Sequence, residues 1–323
     1  MRLPGFQLVR PANLAEVFAA WRTYPGARLL AGGTDLVVNL RHGLGEPAVL
    51  IDLSAVPGLR EVAVESSGLR IGAAVTLERL SRDSLIAAHA PALADAARQI
   101  AGSAHRTIAT LGGNLCLDTR CLYYNQSAWW RQSNGFCLKY RGDRCHVAPE
   151  GNRCRAAYSG DTAPVLLALG ATVELADVTG SRWVDLQSIF QEDGAAHLRL
   201  GDGQVLLGVR VPRSSGLVVG YEKARLRGAI DFPLAGVAVA LRRENDRLTD
   251  LRIAVTGTNS QPFLLQECEP LVGRPLDAES LQLIDKLVQR QVKPMRTTLT
   301  PAHSRRRMAA ALAVRLARRL WGV

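Results

Sequence analysis

Ala109-Thr-Leu-Gly-Gly-Asn114, Cys121-LYYNQSAWWRQSNGF-Cys137-LKYRGDR-Cys145-HVAPEGNR-Cys154 and Tyr158-Ser-Gly-Asp-Thr-Ala-Pro164 follow one another almost without a gap. Four of the six cysteines fall in the middle piece, separated by fifteen, seven and eight residues. The outer pieces are a glycine-rich loop and a small polar segment. They look like two halves of one nucleotide site, with the cysteine window inserted between them.

Thiolates are soft ligands, and sets of four hold zinc or iron–sulfur clusters. The window has no Cys-x-x-Cys pair, the usual bite of structural zinc. Each sulfur arrives from its own stretch of loop, which suits the wider cubane cluster. Structural zinc and buried, unligated thiols stay open as alternatives. Two disulfides are disfavoured, because the N-terminus has no signal-peptide core and cytosolic thiols stay reduced. Tyr123, Tyr124, Trp129, Trp130, Phe136 and Tyr140 would shield a cluster or form the small core that so long a loop requires.

Working outward, residues 12–24 have the apolar spacing of a helix capped by Asn13. Arg28-Leu-Leu then runs into Ala31-Gly-Gly-Thr-Asp35, a second Gly-Gly turn. Such turns expose consecutive N–H groups and admit a pyrophosphate closely. Alone, this one reads as an ordinary tight turn, and it is not the G-x-G-x-x-G of a Rossmann unit. Two separated Gly-Gly turns beside small polar residues, with Thr110 and Asn114 flanking the second, would cradle a dinucleotide from both sides. Asp161 would accept from a ribose or ribityl hydroxyl, or cap the apolar helix 163–169.

Val49–Leu53 reads as a buried strand, and 62–65 with 69–73 as a hairpin. Thr76 caps a helix from Leu77, and 91–100 is a further helix. Residues 182–186, 204–208 and 209–212 are separate strand candidates. After Gly216 come strands at 218–223 and 232–241 and a hairpin turning at Glu244-Asn-Asp246. Helices at about 278–291 and 301–320 follow. The last shows Met308, Leu312, Leu316 and Leu320 as a core stripe with its arginines outside.

The chain has 323 residues, is 47% hydrophobic and carries a net charge of +11. Two or three domains fit this length. Only four of its 40 basic residues are lysine, and no groove-reading motif accompanies them. No nucleic-acid partner and no membrane span are expected, and the chain reads as cytoplasmic.

Ala31–Asp35, Ile71-Gly-Ala73, Ala109–Asn114, Ser159-Gly-Asp161, and Gly220-Tyr-Glu-Lys223 with Asp231-Phe-Pro233 occur in this order. In this series the chain resembles the FAD-binding subunit of the molybdenum hydroxylase family, which includes xanthine dehydrogenase and carbon monoxide dehydrogenase. The resemblance covers essentially the whole chain. The cysteine insert is similar to that of the 4-hydroxybenzoyl-CoA reductases within the family, where the loop holds a [4Fe-4S] cluster.

The resemblance implies an α+β fold. Its FAD-binding domain has two α/β subdomains of the vanillyl-alcohol-oxidase type, at 1–55 and 56–215, with the iron–sulfur insert at about 117–157. A C-terminal α+β domain at 216–323 has a three-stranded sheet with helices. FAD is held by Ala31, Gly32, Gly33, Thr34, Asp35, Thr110, Gly112, Gly113 and Asn114 around the pyrophosphate. Asp161 lies at the ribityl or ribose region, and Lys223 is near the flavin or, equally, on the surface. The cluster ligands are Cys121, Cys137, Cys145 and Cys154, with Cys116 a rival to the first and Cys268 structural. No catalytic residue is assigned to this chain.

The implied partners are a molybdenum-cofactor large subunit and a [2Fe-2S] small subunit, paired as a dimer of heterotrimers, with ferredoxin as electron donor. Electrons would pass from the [4Fe-4S] cluster through FAD to the partners, for reductive dehydroxylation of 4-hydroxybenzoyl-CoA to benzoyl-CoA. Two alternatives stand beside this reading. One is the FAD subunit of another molybdenum hydroxylase with a metal-binding insert; the other is a non-catalytic, zinc-stabilised binding protein.

Overall fold

The computed structural model describes residues 3–201 and 203–322. Three sheets carry the fold. The first is parallel, with Val49–Asp52 between Gln7–Val9 and Arg28–Leu30. All four residues of Val49–Asp52 are buried, as a central parallel strand requires. The helix Leu14–Thr23 makes the first crossover. Asn13 caps it by accepting the Glu16 N–H at 2.9 Å, and the Glu16 carboxylate returns to the Ala12 N–H at 2.7 Å.

The second sheet is antiparallel, in the order Val62–Glu65, Gly68–Gly72, Val205–Pro212, Thr172–Asp177, Gly180–Asp185. The two strands expected at 204–212 are one, and it lies at the centre of the sheet. Gly208 does not break it, because it pairs with Gly72, where a side chain would press on the Ile71 carbonyl. The helices Leu77–Arg82, Pro91–Arg98 and Thr162–Ala168 pack into the core beside this sheet.

The third sheet has three long antiparallel strands, Val218–Ala224, Ala235–Glu244 and Arg247–Thr256, and a two-residue edge strand, Phe263–Leu264. Asn245 and Asp246 both take positive φ, the geometry of a two-residue hairpin turn. Alternation divides this sheet's faces. Val237, Val239, Leu241 and Ile253 pack with the helices Ala278–Gln291 and Ala302–Trp321. Tyr221, Ala238, Ala240 and Ala254 join the core of the second sheet. The small side chains on that second face admit the helix Thr162–Ala168 closely.

The last helix departs from expectation at one arginine. Arg305 is fully buried, not outside. Its guanidinium donates to the carbonyls of Leu234, Met295 and Gly257 and to Thr297 Oγ1. Those acceptors come from loops that end elements of the C-terminal region, so the arginine ties them together. Among the described residues, no helix is long and apolar enough to cross a membrane.

Candidate functional site

The two Gly-Gly loops meet. A Cβ at Gly32 would stand 2.0 Å from the Ile108 carbonyl oxygen and 2.9 Å from Ala109 Cα. Only glycine lets the first loop lie on the residues that lead into the second. Gly33 has φ +71°, so it turns the chain from the strand into the helix Leu36–Arg41. Gly112 packs on Ala73, where a Cβ would stand 2.9 Å from the alanine Cβ. Thr110 caps the short helix Leu111–Leu115, its Oγ1 accepting the Gly113 N–H at 3.1 Å. Asn114 Oδ1 accepts from the Thr162 amide at 3.1 Å and hydroxyl at 2.7 Å. The second loop is thereby fixed to the Ser159–Thr162 segment.

Two expected ligands have internal partners. The Asp35 carboxylate accepts the Asp118 N–H at 2.8 Å and pairs with Arg120, so it anchors the start of the cysteine insert. Asp161 stands at the head of the helix Thr162–Ala168 but makes no capping bond. Instead it accepts the Tyr221 hydroxyl at 2.6 Å and pairs with Lys223 Nζ at 3.0 Å. Burial pushes the Asp161 carboxyl up, against the pull of Lys223 and Tyr221. Lys223 is no surface lysine. It shares a strand face with Tyr221, which points into the core of the second sheet, and Nζ also donates to the Asp231 carbonyl at 3.3 Å.

The surroundings fit a dinucleotide with a flat ring. Bare glycine backbone lines the meeting of the loops. Among the described residues the buried Ser159 hydroxyl has no hydrogen-bond partner. Ile108, Ile230 and Phe232 expose apolar surface close by, with Phe232 under the Arg120 guanidinium at 4.4 Å.

The insert closes at its base through a pair of backbone bonds between Arg120 and Ala157, both 2.8 Å. It contains a helix that sequence periodicity missed, Ala128–Ser133, capped by Ser127. From it, buried Arg131 donates to the carbonyls of His42 and Gly43 at 2.8 and 3.0 Å. The Leu122 N–H donates to the Thr297 carbonyl at 2.9 Å, and Ser260 Oγ to the Cys154 carbonyl at 3.3 Å. The insert thus touches the chain just after the helix Leu36–Arg41 and two loops of the C-terminal region.

Cys121, Cys137, Cys145 and Cys154 are free, buried thiols, and all four line one narrow cavity of about 10 Å³. Among the described residues, no three His, Cys, Asp or Glu side chains gather closely enough to hold one metal ion. The thiols ring a space instead. Burial pushes Cys121 up to about 12 and Cys154 to about 11. Two amides work against that shift: Tyr123 N–H donates to Cys121, and Ala156 N–H to Cys154 Sγ at 3.4 Å. Four soft donors with sulfur-directed amides fit a multi-iron cluster. Cys116 lies apart, packed on the main core, and Cys268 is buried in the C-terminal core. Tyr123 and Tyr124 wall the cavity, whereas Trp129 is 74% exposed and shields nothing.

Lys139, which sequence reasoning passed over, also lines the cavity. Its signal was there: it is the single lysine of the window in an arginine-rich chain.

A family model described as "FAD binding domain in molybdopterin dehydrogenase" matches residues 4–214, and one described as "CO dehydrogenase flavoprotein C-terminal domain" matches residues 220–320. The chain is 29% identical over 289 residues to the xanthine dehydrogenase FAD-binding subunit of Escherichia coli O157:H7, covering 88% of this chain and 85% of that one. It is 30% identical over 258 residues to the nicotine 6-hydroxylase medium subunit of Paenarthrobacter nicotinovorans, covering 80% and 76%. A chain in a crystal structure of the Cu,Mo-CO dehydrogenase superposes with a TM-score of 0.82 at 25% identity, covering 99% of both chains.

Proposed function

The chain belongs to the FAD-binding medium subunits of the molybdenum hydroxylase family, and from that premise we propose that it relays electrons between FAD and a [4Fe-4S] cluster in its cysteine insert. One observation carries the reading: four buried, unpaired thiols on four separate stretches of loop converge on one cavity. When bound, FAD supplies one- and two-electron chemistry and the cluster one-electron chemistry.

This chain's residues hold and shield those groups. Gly32, Gly33, Gly112 and Gly113, flanked by Ala31, Thr34 and Thr110, would take the pyrophosphate. Asn114 and Asp35 brace the loops from behind. Asp161 and Lys223 fix the C-terminal sheet against the flavin side, and Ser159 offers its unpartnered hydroxyl. Cys121, Cys137, Cys145 and Cys154 would ligate the cluster, with the Tyr123 and Ala156 amides favouring their thiolate forms.

The partners under this reading are a molybdenum-cofactor large subunit and a [2Fe-2S] small subunit, in a dimer of heterotrimers. Ferredoxin is the donor, and the net charge of +11 favours an acidic one. The reaction on the large subunit is removal of the phenolic hydroxyl of 4-hydroxybenzoyl-CoA. It consumes two electrons and two protons and releases water and benzoyl-CoA. The similarity to xanthine dehydrogenase and nicotine 6-hydroxylase subunits favours a second reading. In it, electrons flow outward from an oxidised substrate and the insert holds a cluster or zinc.

Iron, sulfide, zinc and flavin content of anaerobically purified protein, with EPR after dithionite, tests the relay. About four irons and one FAD per chain support the relay. Zinc without iron sinks it and leaves the second reading.

A further inference from the structure

Resting on that proposed cluster, we infer that Lys139 sets the cluster's reduction potential. Lys139 stands between Cys137 and Cys145 and lines the cavity. Its side chain is only 5% exposed. All three of its donors are taken: Asp118 Oδ1 at 2.6 Å, the Thr119 carbonyl at 3.0 Å and Thr119 Oγ1 at 2.6 Å. The ammonium also lies 4.2 Å from the ring centroid of Tyr124, another wall of the cavity. One geometry is therefore imposed on a normally floppy side chain.

The arrangement has a direction. Lys139 lines the cavity and Asp118 does not. Asp118 is held from behind, its backbone N–H donating to Asp35 in the first Gly-Gly loop. The ammonium lies against Tyr124 of the cavity wall, and its carboxylate partner lies outside the lining. Among the described residues lining the cavity, Lys139 carries the one permanent positive charge; His146 is stacked on Tyr123 and bonded to the Phe136 carbonyl.

Reduction adds one negative charge to a space walled by Leu138, Val147, Ala156 and two tyrosines. A fixed cation inside a weakly polar wall favours the reduced form and raises the potential. Exposed Arg141 and Arg144 are screened by solvent and salt, so they contribute far less.

The test is an EPR-monitored redox titration of the full chain as wild type, Lys139→Gln and Lys139→Arg. The glutamine variant keeps a donor and loses the charge. At the wild-type midpoint its oxidised-to-reduced ratio should rise about tenfold, a negative shift of roughly 59 mV for one electron. The arginine variant should stay near wild type, and the shift should persist in high salt. A glutamine variant with full iron and an unchanged midpoint overturns the inference. So does equal loss of iron from both variants, which makes Lys139 a folding residue only. Wild-type protein without iron and sulfide instead overturns the cluster itself, and that is read before any variant is titrated.

Discussion

The Asp161 carboxylate and the Lys223 ammonium lie 3.0 Å apart, with side-chain exposures of 4% and 1%. One belongs to the Ser-Gly-Asp segment and the other to the first strand of the C-terminal sheet. Removing one member of a buried pair strands the other charge, at roughly 3–5 kcal/mol. Lys223→Met should therefore destabilise the protein by that order in urea unfolding. The double variant Lys223→Met with Asp161→Asn should recover much of the loss. Strictly additive costs would mean that the two groups do not interact across this junction.

Gly32 makes the second prediction. Its missing side chain lets the first loop rest on Ile108 and Ala109, both backbone contacts that cannot swing away. Gly32→Ala should force the loops apart, at about 1–3 kcal/mol of overpacking. Flavin per chain after purification should fall several-fold. Gly5→Ala is the control, because nothing lies within 4 Å of its new Cβ. Equal flavin in both variants would remove the loop junction from the cofactor site.

Cys121 and Cys116 are both candidates for the first ligand by sequence. They differ in place: Cys121 lines the cavity, and Cys116 packs against the main core. Cys121→Ser should lose most of the bound iron and sulfide, while Cys116→Ser should keep wild-type content. Reversed results would redraw the ligand set around a cavity without Cys121.

What was legible in the sequence was local. Asn13 and Thr76 each cap the helix that follows, and Asn245-Asp246 turns its hairpin. These depend on a few neighbouring residues, so a short window contains them. The two Gly-Gly turns were legible only as a pair, and their contact at Gly32 needed the fold. Arg305 shows why the rest was not legible. Helical spacing places arginines outward, yet four acceptors from three loops meet this one, two of them 48 and 71 residues away. Asp35 is similar, since its partners lie more than 80 residues along the chain. Local patterns carry no sign of such partners.

His197 supplies a pH prediction with a definite sign. It is buried, and loss of water pulls its imidazole down to about 4, although Asp118 nearby and a bond to the Leu117 carbonyl pull it back up. The folded chain thus keeps it neutral where the unfolded chain, with a pKa near 6.5, takes up a proton. Between about 6.5 and 4 the unfolded state binds more protons, so stability must fall as pH drops through that window and be unaffected above it. By pH 5 the loss from this one group should approach roughly 2 kcal/mol. The low-lying Asp118 carboxyl does not obscure this, because its own loss begins at more acid pH. Urea midpoints of wild type and His197→Gln at pH 7 and pH 5 read the difference. The variant should lose less stability than wild type over that interval, and parallel losses would show that His197 is not the group responsible.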